Sequence, residues 1–443
     1  MDKEWAELTP EEKRQERFKW ALETPEVNFS SPEAEKAYKT RRKRLVDAYQ
    51  MKEPDRVPVQ LPVGILPLDW AGITLQSAMY DYDKFRKVWK QFIHDFEMDV
   101  YSGPGVLPGR VYDLIDHKLY KWPGHGLPSD ASELQFVEGE YMKADEYDDL
   151  LRDPSDFWMR VWIPRVLGGL EPFSELAPHT SLFGIPIGYL APYARPDVQS
   201  TLQLLLDVGK EISEWQKVVA ECTREAQEAG IPTPIGGSGG RAPFDTLGDT
   251  LRGTQGIMMD MYRQPDKLLE AMDVIADIII NTAISAANAA QGLIVSFPLH
   301  KGADGFMSDK QFQKFYWPSL RKVIWALINE GLIPSLFAEG SYTMRLELVN
   351  EFPKGAVMWR FDQTDMAKAK KVLGDKCCIA GNVPASLIST GTPSEIKEYC
   401  RRLIETCAPG GGYILSSGSS VTKAPPENLR AMMEAAKEYG VYR

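Results

Sequence analysis

His300, Lys301, Glu339, Asp362, Asn382 and Ser417 each stand at or just after the end of a short apolar run, with a helix expected a few positions later. A histidine whose unperturbed pKa lies near neutral can hand over a proton. Two carboxylates can hold a hard metal ion through oxygen. The lysine, amide and hydroxyl are suited to gripping polar groups of a substrate. The runs that precede them cover 293–299, 333–338, 356–361, 378–380 and 411–415. Regular alternation of strand and helix through short connections calls for a parallel sheet, whose strands all end on one face. That face is expected to gather the six side chains, so the last third of the chain reads as the active-site half of an enzyme.

The elements that would position them fit an α/β chain built as a (β/α)8 TIM barrel. Such a barrel needs about 250 residues and tolerates insertions, so the 443 residues present are read as one barrel at 56–443, an N-terminal helical extension at 1–55 and a long irregular insertion at about 105–180. The extension is highly charged, and its basic run Arg41, Arg42, Lys43 and Arg44 is expected on a solvated helix outside the core. Residues 57–63 read as the first strand, 81–97 as an amphipathic helix and 99–101 as the second strand. The insertion is rich in Pro, Gly and aromatics, including Trp122, Tyr147 and Trp162, which suits a lid or a contact between two copies in a homodimer better than disorder. Beyond it come the stretch 180–189, a helix near 213–229 and a strand around 231–235.

The glycine-rich loop Gly236-Gly237-Ser238-Gly239-Gly240-Arg241 then follows. It lacks the Lys-Ser or Lys-Thr ending of a phosphate loop, so a tight turn or close backbone approach explains it better than a nucleotide. Residues 264–290 form a long helix whose Leu268, Met272, Ile275, Ile279 and Ala283 stripe packs on the core. Ser308 with Gln311 makes a capping box; Thr392, Pro393 and Glu395 start another helix, and Pro425-Pro426-Glu427 the last.

A net charge of −11 argues against a nucleic-acid surface. The five cysteines, Cys222, Cys377, Cys378, Cys400 and Cys407, show no disulfide pattern, and the charged N-terminus shows no secretory signal. With no apolar segment near the roughly 18 residues of a membrane span, a soluble cytoplasmic protein is expected.

Gly381-Asn382-Val383-Pro384, Gly391-Thr392-Pro393, Gly410-Gly411-Gly412-Tyr413-Ile414-Leu415 and Ala424-Pro425-Pro426-Glu427-Asn428-Leu429-Arg430-Ala431 resemble the C-terminal half of the uroporphyrinogen decarboxylase superfamily. Residues 243–253 and 268–272 resemble its central segment. The resemblance implies a barrel with its site at the C-terminal face. The departures choose among the chemistries of that superfamily. Decarboxylases carry an arginine-rich string after the first strand, where this chain has Val63-Gly64-Ile65-Leu66-Pro67-Leu68-Asp69-Trp70. A tetrapyrrole with many carboxylates would lack its bidentate partners there. The family's central tyrosine corresponds to Asp249 and its late histidine to Ser419. The thiol-alkylating branch holds zinc through a His-x-Cys pair where this chain reads Phe337-Ala338-Glu339. None of the cysteines follows a histidine at that spacing.

What is left is similar to the corrinoid-dependent methyltransferases that act as aryl methyl ether O-demethylases in the one-carbon metabolism of anaerobes. The resemblance implies methyl transfer from a methoxylated aromatic compound to the Co(I) of a corrinoid (cobalamin) on a separate protein, because no Asp-x-His-x-x-Gly motif occurs here. His300, Glu339 and Asp362 are then the catalytic candidates, with Asp249, Lys301, Asn382 and Ser417 as substrate contacts. Glu339 and Asp362 are the residues for a divalent metal such as zinc, if one is bound. Other roles compete: Glu339 capping a helix or pairing with Arg345, and Asp362 helping the helix that begins near Asp365. A decarboxylase or lyase for a smaller carboxylic acid, and a binding barrel without chemistry, remain as alternatives.

Overall fold

Apolar runs bounded by turns do become strands. The computed structural model describes residues 4–179 and 187–442, and its central feature is a seven-stranded parallel sheet. In chain order the strands are β1 (Val59–Gln60), β2 (Gly236–Gly239), β3 (Ile294–Leu299), β4 (Ile333–Ala338), β5 (Met358–Phe361), β6 (Cys378–Ala380) and β7 (Tyr413–Ser416). Neighbours in sequence are neighbours in the sheet from β2 to β7, and β1 then pairs with β7. Strand-helix-strand crossovers produce most of that order, but β4 and β5 are joined by turns alone, without the helix expected after Glu339. The Pro265–Ala289, Trp317–Asn329, Met366–Leu373 and Pro393–Cys407 helices connect the strands, and Pro426–Tyr439 closes the chain. The capping boxes at Ser308 and Thr392 are both present, and the last helix begins at Pro426.

Eight strands were expected and seven form ladders. Residues 99–101 lie between the two ends of the sheet without pairing as a strand. The Tyr101 N–H donates to the Pro232 carbonyl at 2.9 Å. On the other side the link is a side chain: the wholly buried Asp99 carboxylate accepts the Val59 N–H at 2.9 Å and bonds Arg56 and Arg44 at 2.6–2.7 Å. That carboxylate stands where a ladder hydrogen bond would otherwise run.

Two further expectations shift. The strand sought at 231–235 lies at Gly236–Gly239, so the glycine stretch is itself the strand, with a register irregularity between Gly236 and Ser238. Glycines carry no hydrophobic pattern to announce a strand. The helix expected from 213 begins much earlier and runs Pro196–Glu228. Of the stretch 180–189, residues 180–186 lie outside the described residues, and Ile187–Leu190 is a short helix. Within 105–180 short helices surround a small sheet of Tyr120–Pro123, Gly126–Leu127 and Gln135–Phe136, with Trp122 and Tyr147 buried.

The N-terminal helices α1 (Pro10–Leu22) and α2 (Pro32–Tyr49) cover the barrel floor. Phe18, Leu45, Val46 and Tyr49 share one buried cluster with Ile294, Ile333, Met358, Cys378 and Ile414, which come from five consecutive strands. Here the basic run departs from the solvated helix expected of it. Arg44 is buried against Asp55 and Asp99, while Arg41 and Arg42 donate to the Gly230 and Thr233 carbonyls. Arg41 and Arg42 satisfy main-chain carbonyls of the segment leading into β2 that would otherwise be unpaired. All five cysteines are free and buried. None of the described helices is long and apolar enough to cross a membrane.

Candidate active site

β3 ends at Leu299, and the two residues that follow are fixed by one carboxylate. Asp245, wholly buried, accepts the main-chain N–H of His300 and of Lys301, each at 3.0 Å, and the Tyr316 hydroxyl at 2.8 Å. Burial and the charge of Asp249 push its carboxyl up to about 6, against the pull of Tyr316 and the His300 N–H. Asp245 and Asp249 lie four residues apart on a segment that passes from the Pro243–Asp245 helix into a π-helical stretch, Thr246–Leu251. One helical face thus grips both the backbone after β3, through Asp245, and the His300 ring, through Asp249.

His300 Nδ1 lies 2.6 Å from Asp249 Oδ2. The bond raises the imidazole above its usual value, partly offset by burial and assisted by the charges of Asp249 and Glu339. Burial works against ionisation of Asp249, but its bonds to His300 and Lys301 hold it below the ordinary carboxylate range. Lys301 Nζ sits 2.9 Å from Asp249 Oδ1 and donates to Thr254 Oγ1 at 2.8 Å, and Arg241 lies 3.5 Å from Oδ2. Both oxygens of Asp249 are therefore fixed, and with them the plane of the ring.

His300 Nε2 faces Glu339 Oε1 at 3.6 Å. Glu339 follows β4; burial raises its carboxyl, as do Asp362 and Asp249, against the charge of His300. It does not pair with Arg345, whose carboxylate partners are Asp304 and Asp309. Asp362 follows β5 and accepts the Gly340 N–H at 3.1 Å, so it ties the end of β5 to the end of β4. The cap of the Met366–Leu373 helix is Asp365 instead. Asn382, after β6, donates to the carbonyls of Asp362 at 3.0 Å and Thr364 at 2.8 Å, engaging its amide in the loops. Ser417 is buried, and its hydroxyl has no partner.

The structure thus joins His300, Lys301, Asp249 and Glu339 by direct contact. Asp362 and Asn382 form a neighbouring brace, and Ser417 lines a small cavity together with Arg360. Asp245, Tyr316, Thr254 and Arg360 went unnoticed in the sequence. Arg360 had a signal: it is the one charged residue in the strand Met358–Phe361. Asp245 had the i,i+4 spacing to Asp249. As for a metal, no cluster of three or more His, Cys, Asp or Glu side chains suited to one exists among the described residues. The donors nearest the mouth are engaged with each other or with the main chain.

A family model described as uroporphyrinogen decarboxylase (URO-D) matches residues 185–439. The chain belongs to the uroporphyrinogen decarboxylase family. Within it, the uroporphyrinogen decarboxylase of Aromatoleum aromaticum is 25% identical over 256 residues, which cover 55% of this chain and 66% of that protein. That of Vibrio cholerae is 25% identical over 252 residues, with the same coverage, and that of Pseudoalteromonas translucida is 26% identical over 195 residues, 40% of this chain and 50% of that one. The chain spans half to two thirds of the length of these relatives. A solved structure, a methyltransferase from Methanosarcina mazei, superposes with a TM-score of 0.56 at 17% identity, over 90% of this chain and 99% of that one. The fold is shared along nearly the whole of that structure, beyond the segment of this chain that the family model matches.

Proposed function

We propose that this chain is a methyltransferase that removes the methyl group of a methoxylated aromatic compound and delivers it to the Co(I) of a corrinoid on a separate protein. The cobalt supplies the nucleophile. The observation that carries the reading is the His300–Asp249 pair at the strand ends, since loss of the methyl group leaves a phenolate that needs a proton. With Nδ1 turned to Asp249, Nε2 is the atom that donates. Asp245 holds the backbone of His300, and Lys301 with Thr254 holds Asp249, so the ring is aimed before substrate arrives. Glu339 stands beside Nε2 as a second polar neighbour of the ether oxygen, and Asp362 keeps the loop that bears it in place.

Two further points support the reading. The solved structure whose fold matches along 90% of this chain is a methyltransferase. The stretch after β1 has no arginine to bind a tetrapyrrole's carboxylates.

The test is anaerobic incubation with Co(I) corrinoid protein and a panel of methoxybenzoates, methylamines and methyl thioethers. Methylcobalt and free phenol from a methoxybenzoate are expected. No methylcobalt from any donor, or carbon dioxide release without cobalt, rejects the proposal, the latter in favour of a decarboxylase for a smaller acid.

A further inference from the structure

Buried arginines in this chain find partners. Arg17 donates to the carbonyls of Glu330 and Gly292, Arg44 and Arg56 to Asp99, and Arg252 to Asp260. Arg360 has neither a hydrogen bond nor an ion pair among the described residues, and its Nε is sealed from solvent without an acceptor. It sits on β5 two residues after Met358, hence on the same inward face of the strand. Its register partners are Phe337 on β4 and Ala380 on β6. The guanidinium lies over the Phe337 ring at 4.4 Å, so one flat face is covered and the donating edge is left.

A guanidinium cannot shed its charge as a lysine can. Burial lowers its pKa, and the carboxylates of Asp362 and Glu339 oppose this from a distance without pairing with it. The edge opens on a cavity of about 150 Å³ at the end of β1 and β7. Ser417 lines the same cavity, and its hydroxyl is also buried without a partner. Two independent donors left unsatisfied at one small cavity are unusual in a folded protein, where buried polar groups are nearly always paired. Gln60 and Ser102 add polar walls; Val63 and Val421 add apolar ones.

We infer that Arg360 and Ser417 form an anion subsite that binds a carboxylate borne by the substrate. This rests on the proposed methyl-transfer function for the identity of the reaction, and it narrows the donor to a methoxylated aromatic acid. The volume admits one acidic group on a small ring and excludes the many carboxylates of a porphyrinogen. The carboxylate is a handle here. A bidentate guanidinium stabilises the ground-state anion, which favours binding and works against expelling it as carbon dioxide.

The experiment is calorimetric titration of the full chain with benzoate and with its neutral isostere benzamide, repeated on Arg360→Gln and Ser417→Ala. Benzoate is expected to bind at least about tenfold more tightly than benzamide, with that preference lost in Arg360→Gln and weakened in Ser417→Ala. Equal binding of benzoate and benzamide by the wild-type chain overturns the inference, as does undiminished benzoate preference in Arg360→Gln. The wild-type comparison decides the matter even where Arg360→Gln does not fold. Benzoate bound through Arg360 in a protein that yields no methylcobalt leaves the subsite standing and removes the methyl-transfer reading alone.

Discussion

His300 and Asp249 share one proton, and the sign of their coupling sets how the protein should respond to pH. The imidazole pKa is raised from 6.5, chiefly by the bond to Asp249. If protonated His300 is the donor, turnover should hold through neutral pH and fall as pH rises through that elevated pKa. Replacing Asp249 with Asn removes the main cause of the elevation. The basic limb of the rate profile should then move to lower pH, read from single-turnover rates across the range. Stability follows the same sign: the contribution of His300 is complete below its unfolded value, so long as Asp249 stays ionised, and is lost as pH rises through the folded one. Chemical denaturation of Asp249→Asn should therefore show less loss of stability over that window than wild type. His300→Gln keeps the volume but not the acid, and is expected to lower kcat by roughly a hundredfold or more with little change in substrate binding.

Elements converge on the site through close approaches that leave no room for error. A Cβ added at Gly418, just past β7, would sit 2.9 Å from the carbonyl oxygen and from Oδ1 of Asp362. Backbone cannot yield cheaply, so Gly418→Ala should destabilise the protein by about 1–3 kcal/mol and disturb the brace beneath Glu339. At the opposite end, Arg17 of α1 donates to the Glu330 and Gly292 carbonyls and to Asn288 Oδ1 at 2.6–2.9 Å. Arg17→Ala should cost about 2–4 kcal/mol in denaturant unfolding, because buried acceptors lose their donor, while leaving the pH profile of turnover intact. The contrast follows the division of such barrels into a stabilising floor and a reactive mouth.

The strands that carry the site were legible in the sequence for the same physical reason that they form: β3 to β7 are apolar runs cut off by a polar residue, and all but β4 are followed by a helix. The strand at Gly236–Gly239 was not legible, because glycine has no side chain to show periodicity. Neither was the role of 99–101, where a carboxylate replaces a ladder. Among the site residues, His300, Lys301 and Glu339 were marked by position alone. Arg360 was hidden inside an otherwise apolar strand, and its unpaired state is a property of three dimensions.

At the scale of the whole molecule, the N-terminal helices are part of the core. Phe18, Leu45, Val46 and Tyr49 are buried against residues of five strands, so deleting residues 1–50 should expose the barrel floor. Loss of cooperative unfolding and binding of a hydrophobic dye are the expected outcome. The central claim concerns what leaves the substrate. It is tested most directly by one anaerobic turnover of the full chain with cob(I)alamin and a methoxybenzoate labelled in its methyl group, with methylcobalt, hydroxybenzoate and carbon dioxide counted together. Label on cobalt matched by hydroxybenzoate, without carbon dioxide, is the predicted result; carbon dioxide formed without cobalt, or label that never leaves the aromatic acid, would contradict it.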